Sequence, residues 1–435
     1  MTAAETSQLP GAAQIDFADP AFLAQVWEHY DTMRARCPVS HVRIASGVNG
    51  AGAGTPMDQP LWLTTGYEAG TRALLDRALT VDVAAAMTPE QRAHLPEPPP
   101  EFKPFMRNIL TVDPPEHARL RALVQPSFTA GVIERLRPRV QQITDDLLDT
   151  AEAAAAERGE VAPNRALELI AQFSYPMPVT VISDMLGIPP EDRAQAELWA
   201  GRLLTPATPE NSAYVLEGVR ELTAYLRTLL MHKRANPDEE LISQLLRAEG
   251  EDGPLTEDEV VAMVLVLYTA GHVTTLNLIA NGVFALLSHP GQAARIRADA
   301  GRIPNAVEEI LRYVGPVEMT TVRYAREDVT LSGQAIARGE QLLVGLAAAN
   351  HDPARFADPG RFDITREDAN RHIAFGKGIH ACLGAPLARL EGRIALETLF
   401  RRYPHLRLGA PADTITWEVS AAGSIRGLTS LPLLF

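Results

Sequence analysis

Two cysteines in 435 residues, Cys37 and Cys382, are too few for a disulfide framework and suit a reducing compartment. Cations are in deficit as well. Forty Lys and Arg stand against 54 Asp and Glu, a formal net charge of −14, and a field of that sign repels nucleic acid and anionic lipid. The N-terminus, MTAAETSQLPGAAQIDFADP, has neither a basic region nor an apolar core, so no secretory leader is expected. No stretch of about 18 apolar residues runs uninterrupted, so no bilayer-crossing segment is expected. There is no internal repeat, no long low-complexity linker away from the termini, and no flavin or nicotinamide glycine fingerprint. What remains, at 46% hydrophobic and 22% charged, reads as a cytoplasmic globular protein with neither nucleic acid nor membrane as partner.

The patterning predicts one domain over residues 1–435, mainly α with a smaller β-rich portion. The β-rich parts are expected at about 38–66 and 317–345 and at the C-terminus, and the helical body at about 114–315 and 385–401. Near the start, 39–44 and 60–65 read as two strands. The glycines 47, 50, 52 and 54 between them make a hairpin loop, without the spacing or GK[ST] ending of a phosphate-binding loop. Residues 133–158, 166–186 and 214–234 carry apolar residues at helical spacing. The proline-rich stretches 94–104 and 205–210 interrupt them as surface loops or as lids over a site. The longest periodic run opens on Thr256-Glu-Asp-Glu259, a capping-box pattern, and ends near Ser288. Its middle is apolar on all sides, which predicts a buried helix roughly 48 Å long. After residue 315, strands are expected at 317–324, 329–331, 341–345 and 430–435.

The chemistry concentrates in Phe375-Gly-Lys-Gly-Ile-His-Ala-Cys-Leu-Gly384. A lone cysteine is ordinarily inert core. This one lies in a glycine-punctuated loop just ahead of Pro386, a residue suited to the first turn of a helix, so amide N–H groups there would favour the thiolate that binds metal. Gly376, Gly378 and Gly384 would let backbone approach a flat partner. Zinc normally needs three or four protein ligands, and only His380 is near in sequence. A single thiolate suits an iron whose in-plane ligands come from a porphyrin.

Phe375, Gly376, Gly378, His380, Cys382 and Gly384 together resemble the haem-binding loop of the cytochrome P450 family, of the soluble bacterial type. Four further motifs, in the family's order, extend the resemblance over nearly the whole chain. Glu309-Ile-Leu-Arg312 is similar to the family's ExxR helix, with Arg361 of Pro359-Gly-Arg-Phe362 at the place of the arginine that completes that pair. His117 and Arg121 of Asp113-Pro-Pro-Glu-His-Ala-Arg-Leu-Arg121, with Arg323 and His380, match its partners for the haem propionates. Ala270-Gly271-His-Val-Thr274-Thr resembles the oxygen-activation motif. The resemblance implies that Gly271 leaves room for dioxygen and that Thr274 turns its hydroxyl inward and opens the helical ladder locally. The closing turn at Gly423, Ser424 and Ile425 would line a substrate pocket opposite Val317, Glu318, Met319 and Thr320, with Leu267 and Ala270 on the long helix.

The resemblance implies a P450-like helical prism binding haem b (iron protoporphyrin IX), with the Cys382 thiolate on the iron. The expected activity is monooxygenation of a hydrophobic small molecule with O2, in a monomer fed with electrons by a ferredoxin and its reductase. The cations Arg119, Arg121, Lys377, Arg389 and Arg393 would form the docking patch for that acidic ferredoxin. One position departs from the family: the residue before Thr274 usually carries a carboxylate and here is Val273, which supplies no proton. Water with Thr274, another acid such as Glu318, or a substrate group would then carry the relay; His272 points about 100° away from Val273 on the helix. A peroxide-driven or non-oxygenating haem-thiolate enzyme is the alternative, and a haem-binding sensor or carrier the reading from a different class.

Overall fold

The 32-residue helix Glu257–Ser288 starts on a complete capping box: Thr256 caps the Glu259 amide, and the Glu259 carboxylate takes the Thr256 N–H at 2.8 Å. It runs unbroken through the largest hydrophobic core, against the helices Pro176–Leu186, Ile303–Val314 and Ala385–Arg402. Among the described residues it is the one helix long and apolar enough to cross a bilayer, and here that apolar surface is spent on the core. The computed structural model describes residues 13–17, 19–44, 60–93, 102–205, 211–250, 253–420 and 424–435. The glycine-rich hairpin loop, Gly423 and most of the two proline-rich stretches lie outside them.

Helices make up most of the body, from Glu116–Val124 through Arg137–Glu157 and Ser212–Ala235 to Ala385–Arg402. The principal sheet has six strands in the order Ala13–Ile15, Val39–Ile44, Leu61–Thr64, Gln341–Val344, Arg323–Ala325, Leu79–Thr80. Val39–Ile44 and Leu61–Thr64 pair antiparallel, as a hairpin requires. Two expected elements differ. Residues 166–186 are not one helix: Ala166–Glu168 is a strand paired with Pro432–Leu434, a turn of π-helix covers Ile170–Ser174, and the α-helix begins only at Pro176. Residues 317–324 form no continuous strand; Val317 and Met319 make single bridges to Ile425 and Gly345, and regular pairing starts at Arg323.

Candidate functional site

Helix Ala385–Arg402 has Pro386 in its first turn and Gly384 as N-cap, with no side chain capping it. The Cys382 sulfur takes that place, accepting the Gly384 and Ala385 amides, while the Cys382 N–H donates to the Phe375 carbonyl at 2.8 Å. The loop is thus tied at both ends around one sulfur. Burial pushes the thiol pKa up; the Gly384 amide, the Arg121 charge, the Ala385 amide and the Arg389 charge oppose it, and the net direction is upward rather than the lowering the helix terminus alone predicts.

Cys382 opens onto a cavity of about 330 Å³ whose walls are overwhelmingly apolar. The cavity gathers residues far apart in sequence. Phe375, Gly376 and His380 come from the cysteine loop, His117 and Arg121 from the Glu116–Val124 helix, and Arg323 from a central strand. Leu267, Ala270, Gly271 and Thr274 come from the long helix, and Val317 and Thr320 from the segment after Arg312. A second cavity of about 490 Å³ shares Leu74 and Arg323 with it and reaches Asp113 and Arg326. Ile109, Phe128, Ile182 and Leu346 also line the first cavity, and none stood out in the sequence, because an apolar wall residue carries the same local pattern as a core residue.

The polar side of the cavity is electrostatically organised. His380 Nε2 lies 2.9 Å from Asp113 Oδ1, and Arg326 reaches Asp113 Oδ2 at 2.9 Å. Burial alone would raise the Asp113 carboxyl, but hydrogen bonds from His380 and Thr80 and the charges of His380 and Arg326 hold it far below the usual carboxylate range. His117 lies beside His380, ring centroids 4.3 Å apart and planes tilted by 56°. Burial, then the His380 and Arg121 charges, lower its pKa to about 4. His117 Nε2 and Arg323 Nε are buried without a protein partner, whereas Arg121 Nη1 donates to the Ala381 carbonyl at 2.9 Å.

Several residues sit elsewhere than the sequence predicts. Arg361 does not complete the Glu309–Arg312 pair: its side chain is 66% exposed and pairs with Asp363. Arg366 takes the position, Nε at 3.3 Å from Glu309, while Arg361 contributes only its carbonyl, 3.2 Å from Arg312 Nη2. Two arginines five residues apart in one loop cannot be ranked from sequence alone. Glu318 turns away from the cavity to accept Tyr30 Oη at 3.1 Å and Arg426 Nη1 at 3.3 Å, because a buried carboxylate needs donors. Met319 packs into a separate core with Ile15 and Phe17, and neither Ser424 nor Ile425 reaches the cavity wall. Thr274 does not open the helix; its hydroxyl donates to the Ala270 carbonyl at 3.0 Å along an uninterrupted α-ladder. Gly271 does line the cavity, and a Cβ there would also meet Ile182 at 3.3 Å; Gly378, at φ +79°, would bring a Cβ within 2.9 Å of the Leu74 carbonyl. His272 is buried on the opposite side of the helix, its Nδ1 2.7 Å from the Tyr268 carbonyl.

The family model described as Cytochrome P450 matches residues 215–420. The chain is 40% identical to the Cytochrome P450 monooxygenase PikC of Streptomyces venezuelae, over 98% of this chain and 95% of that one. The chain belongs to the cytochrome P450 family. It is also 46% identical to Cytochrome P450 CYP107DY1 of Priestia megaterium, over 77% of this chain and 78% of that protein. The solved structure of cytochrome P450 PksS from Bacillus subtilis 168 matches with a TM-score of 0.84 at 34% identity, covering 96% of this chain and 98% of that one.

As a P450 the protein is a monooxygenase with haem b as cofactor. The residues present fit that group. The cavity offers a lone thiol backed by a helix N-terminus and an apolar interior. On one side it holds two buried donors, His117 Nε2 and Arg323 Nε, that lack acceptors, as two propionates would require. Among the described residues no group of three His, Cys, Asp or Glu could hold a metal by itself.

Proposed function

We propose that this P450 hydroxylates a neutral, hydrophobic small molecule in the cytoplasm, with electrons delivered by a ferredoxin and its reductase. The observation that carries this reading is the composition of the cavity wall: apart from the Cys382 thiol and the polar edge around His117, Arg121, Arg323, Lys377 and His380, it is lined by aliphatic and aromatic side chains and threonines. Such a wall desolvates an apolar substrate and offers no counter-charge to an ionic one.

Bound haem b supplies dioxygen activation and transfer of one oxygen atom to the substrate. Cys382 would hold the haem iron through its thiolate, whose lone pairs the Gly384 and Ala385 amides also engage. His117, Arg121 and Arg323 would bind the propionates, with His380 held in place by Asp113. The Thr274 hydroxyl, bonded to the Ala270 carbonyl, would present a polar group in the cavity wall, and Val273 beside it offers no proton. Leu267, Val317 and Thr320 would hold the reacting C–H in position and exclude water.

The docking patch is redrawn. Arg119 is paired with Glu259, Arg389 with Glu308, and Arg121 with the Ala381 carbonyl, whereas exposed Lys377 and Arg77, with Asp76 beside them, lie next to Leu75 and Ile379, exposed by 53% and 51%. An apolar centre with Lys377 and Arg77 at its rim, on a chain of net charge −14, suits a small acidic ferredoxin. Lys377→Glu should slow the first electron transfer at low salt, and an unchanged rate overturns this site.

The test of substrate class is a library screen for the low- to high-spin absorbance shift. The hits are then turned over with ferredoxin, reductase and NAD(P)H, or with peroxide alone. Val273 favours the peroxide-driven alternative, and the retained Thr274 hydroxyl opposes it. Turnover with peroxide and none with the electron-transfer proteins would select it.

A further inference from the structure

Glu308, the residue before the ExxR glutamate, is bound by three groups under the cysteine loop. Arg389 grips it with both arms, Nε to Oε1 at 2.7 Å and Nη2 to Oε2 at 2.9 Å. His372 Nε2 lies 3.2 Å from Oε2. His372 Nδ1 in turn accepts the Ala374 amide at 3.1 Å, so Nε2 carries the proton and donates it to Glu308. The Arg389 guanidinium lies over the Phe375 ring, 4.6 Å from its centroid, and the Phe375 carbonyl is the acceptor for the Cys382 N–H. The cluster joins three elements: the Ile303–Val314 helix, the loop start at His372–Phe375 and the helix after Cys382. Both carboxylate oxygens and the guanidinium edge are engaged, a geometry lysine cannot reproduce.

We propose that Glu308 is a positioning residue that fixes Arg389 over Phe375, and that the Arg389–Glu308 pair sets the electrostatic field at the Cys382 sulfur and hence the haem reduction potential. The inference rests on the haem-thiolate reading above. The Arg389 guanidinium covers the ring of Phe375, the residue whose carbonyl takes the Cys382 N–H at 2.8 Å, so its charge stands one residue away from the sulfur loop. Burial would raise Glu308, but the hydrogen bonds from Arg389 and His372 and the Arg389 charge bring its carboxyl to about 2, so the pair stays ionised near neutrality. The pair is close to neutral as a unit. Deleting either member therefore leaves the other's charge uncompensated beside Phe375 and the cysteine loop, with opposite signs.

The experiment is redox titration of substrate-free holoprotein for the parent, Glu308→Gln, Arg389→Met and the double variant. Glu308→Gln leaves the Arg389 cation and should raise the potential. Arg389→Met leaves the Glu308 anion and should lower it. A tenfold change in the reduction equilibrium is 59 mV for one electron, and shifts of about that size are expected. The double variant should return close to the parent, and Arg389→Lys should restore only part of the shift. Mere loosening of the loop would move both single variants the same way, so same-sign shifts, or none, overturn the proposal. Melting of the haem-free proteins is the folding control; a variant that fails it is replaced by Glu308→Asp, expected to shift the same way by less. A parent that lacks the red-shifted Soret band under carbon monoxide would instead sink the haem-thiolate reading itself.

Discussion

Arg366 closes on Glu309 at 3.3 Å while Arg312 holds the same carboxylate at 2.7 Å, and the Glu309 and Arg312 side chains are wholly inaccessible to solvent. Arg312 also donates to the carbonyls of Asn350, Pro359 and Arg361, at 3.1, 2.8 and 3.2 Å, so one buried cation ties the ExxR helix to the loop ahead of Cys382. Removing a partner from a buried ion pair leaves an uncompensated charge. Arg366→Ala should lower stability by about 3 kcal/mol and shed haem on gel filtration. Arg361→Ala should leave both the melting temperature and haem retention unchanged. Equal effects from the two would refute the assignment.

Glu391 is fully buried on the helix after Cys382 with Oε2 unpartnered, and burial pushes its pKa up to about 8. The folded chain therefore holds a proton there, between the ordinary carboxylate range and about pH 8, that the unfolded chain has released. This group's contribution to stability is complete below the ordinary carboxylate range and is lost as pH rises toward 8, with a slope of up to about 1.4 kcal/mol per pH unit. Glu391→Gln should flatten the profile over that window and be the more stable form at pH 8 by a few kcal/mol. Denaturant titrations of both proteins from pH 5 to about 9 are the measurement, and parallel profiles would contradict it.

Gly427 on the closing strand passes the Asn277 amide with no room for a Cβ, and Asn277 is held there by donating to the Val273 carbonyl at 2.9 Å. Gly427→Ala must displace that amide, at about 1–3 kcal/mol. Adding Asn277→Ala should recover most of the loss. If the two substitutions simply add in chemical denaturation, the contact is not the cause.

Thr274 is the hydroxyl between the cavity and the long helix, next to a valine that cannot give a proton. Thr274→Val keeps the shape and removes that hydroxyl's exchangeable proton. Product formed per reducing equivalent should fall by on the order of tenfold, while Thr274→Ser stays close to the parent. Equal coupling in all three would show that the hydroxyl takes no part.

The sequence by itself determined what depends on local chemistry. The capping pattern at Thr256 and Glu259 and the apolar run behind it specify the long helix to its first residue. Alternation specifies Val39–Ile44 and Val329–Leu331, and the glycine-flanked Cys382 ahead of Pro386 specifies a thiol at a helix N-terminus. These choices are made by neighbours a few residues apart.

Tertiary structure decided whatever needs a distant partner. Ala166–Glu168 is a strand because Pro432–Leu434 lies beside it, though its own spacing reads as helix. Arg366 rather than Arg361 reaches Glu309, and Glu318 turns toward Tyr30 and Arg426 rather than the cavity. Arg389 looks like a surface cation until Glu308, 81 residues earlier, takes both its arms. A charge removed from water has to be answered by whichever opposite group the fold brings within about 3 Å, and residue spacing along the chain does not encode that distance.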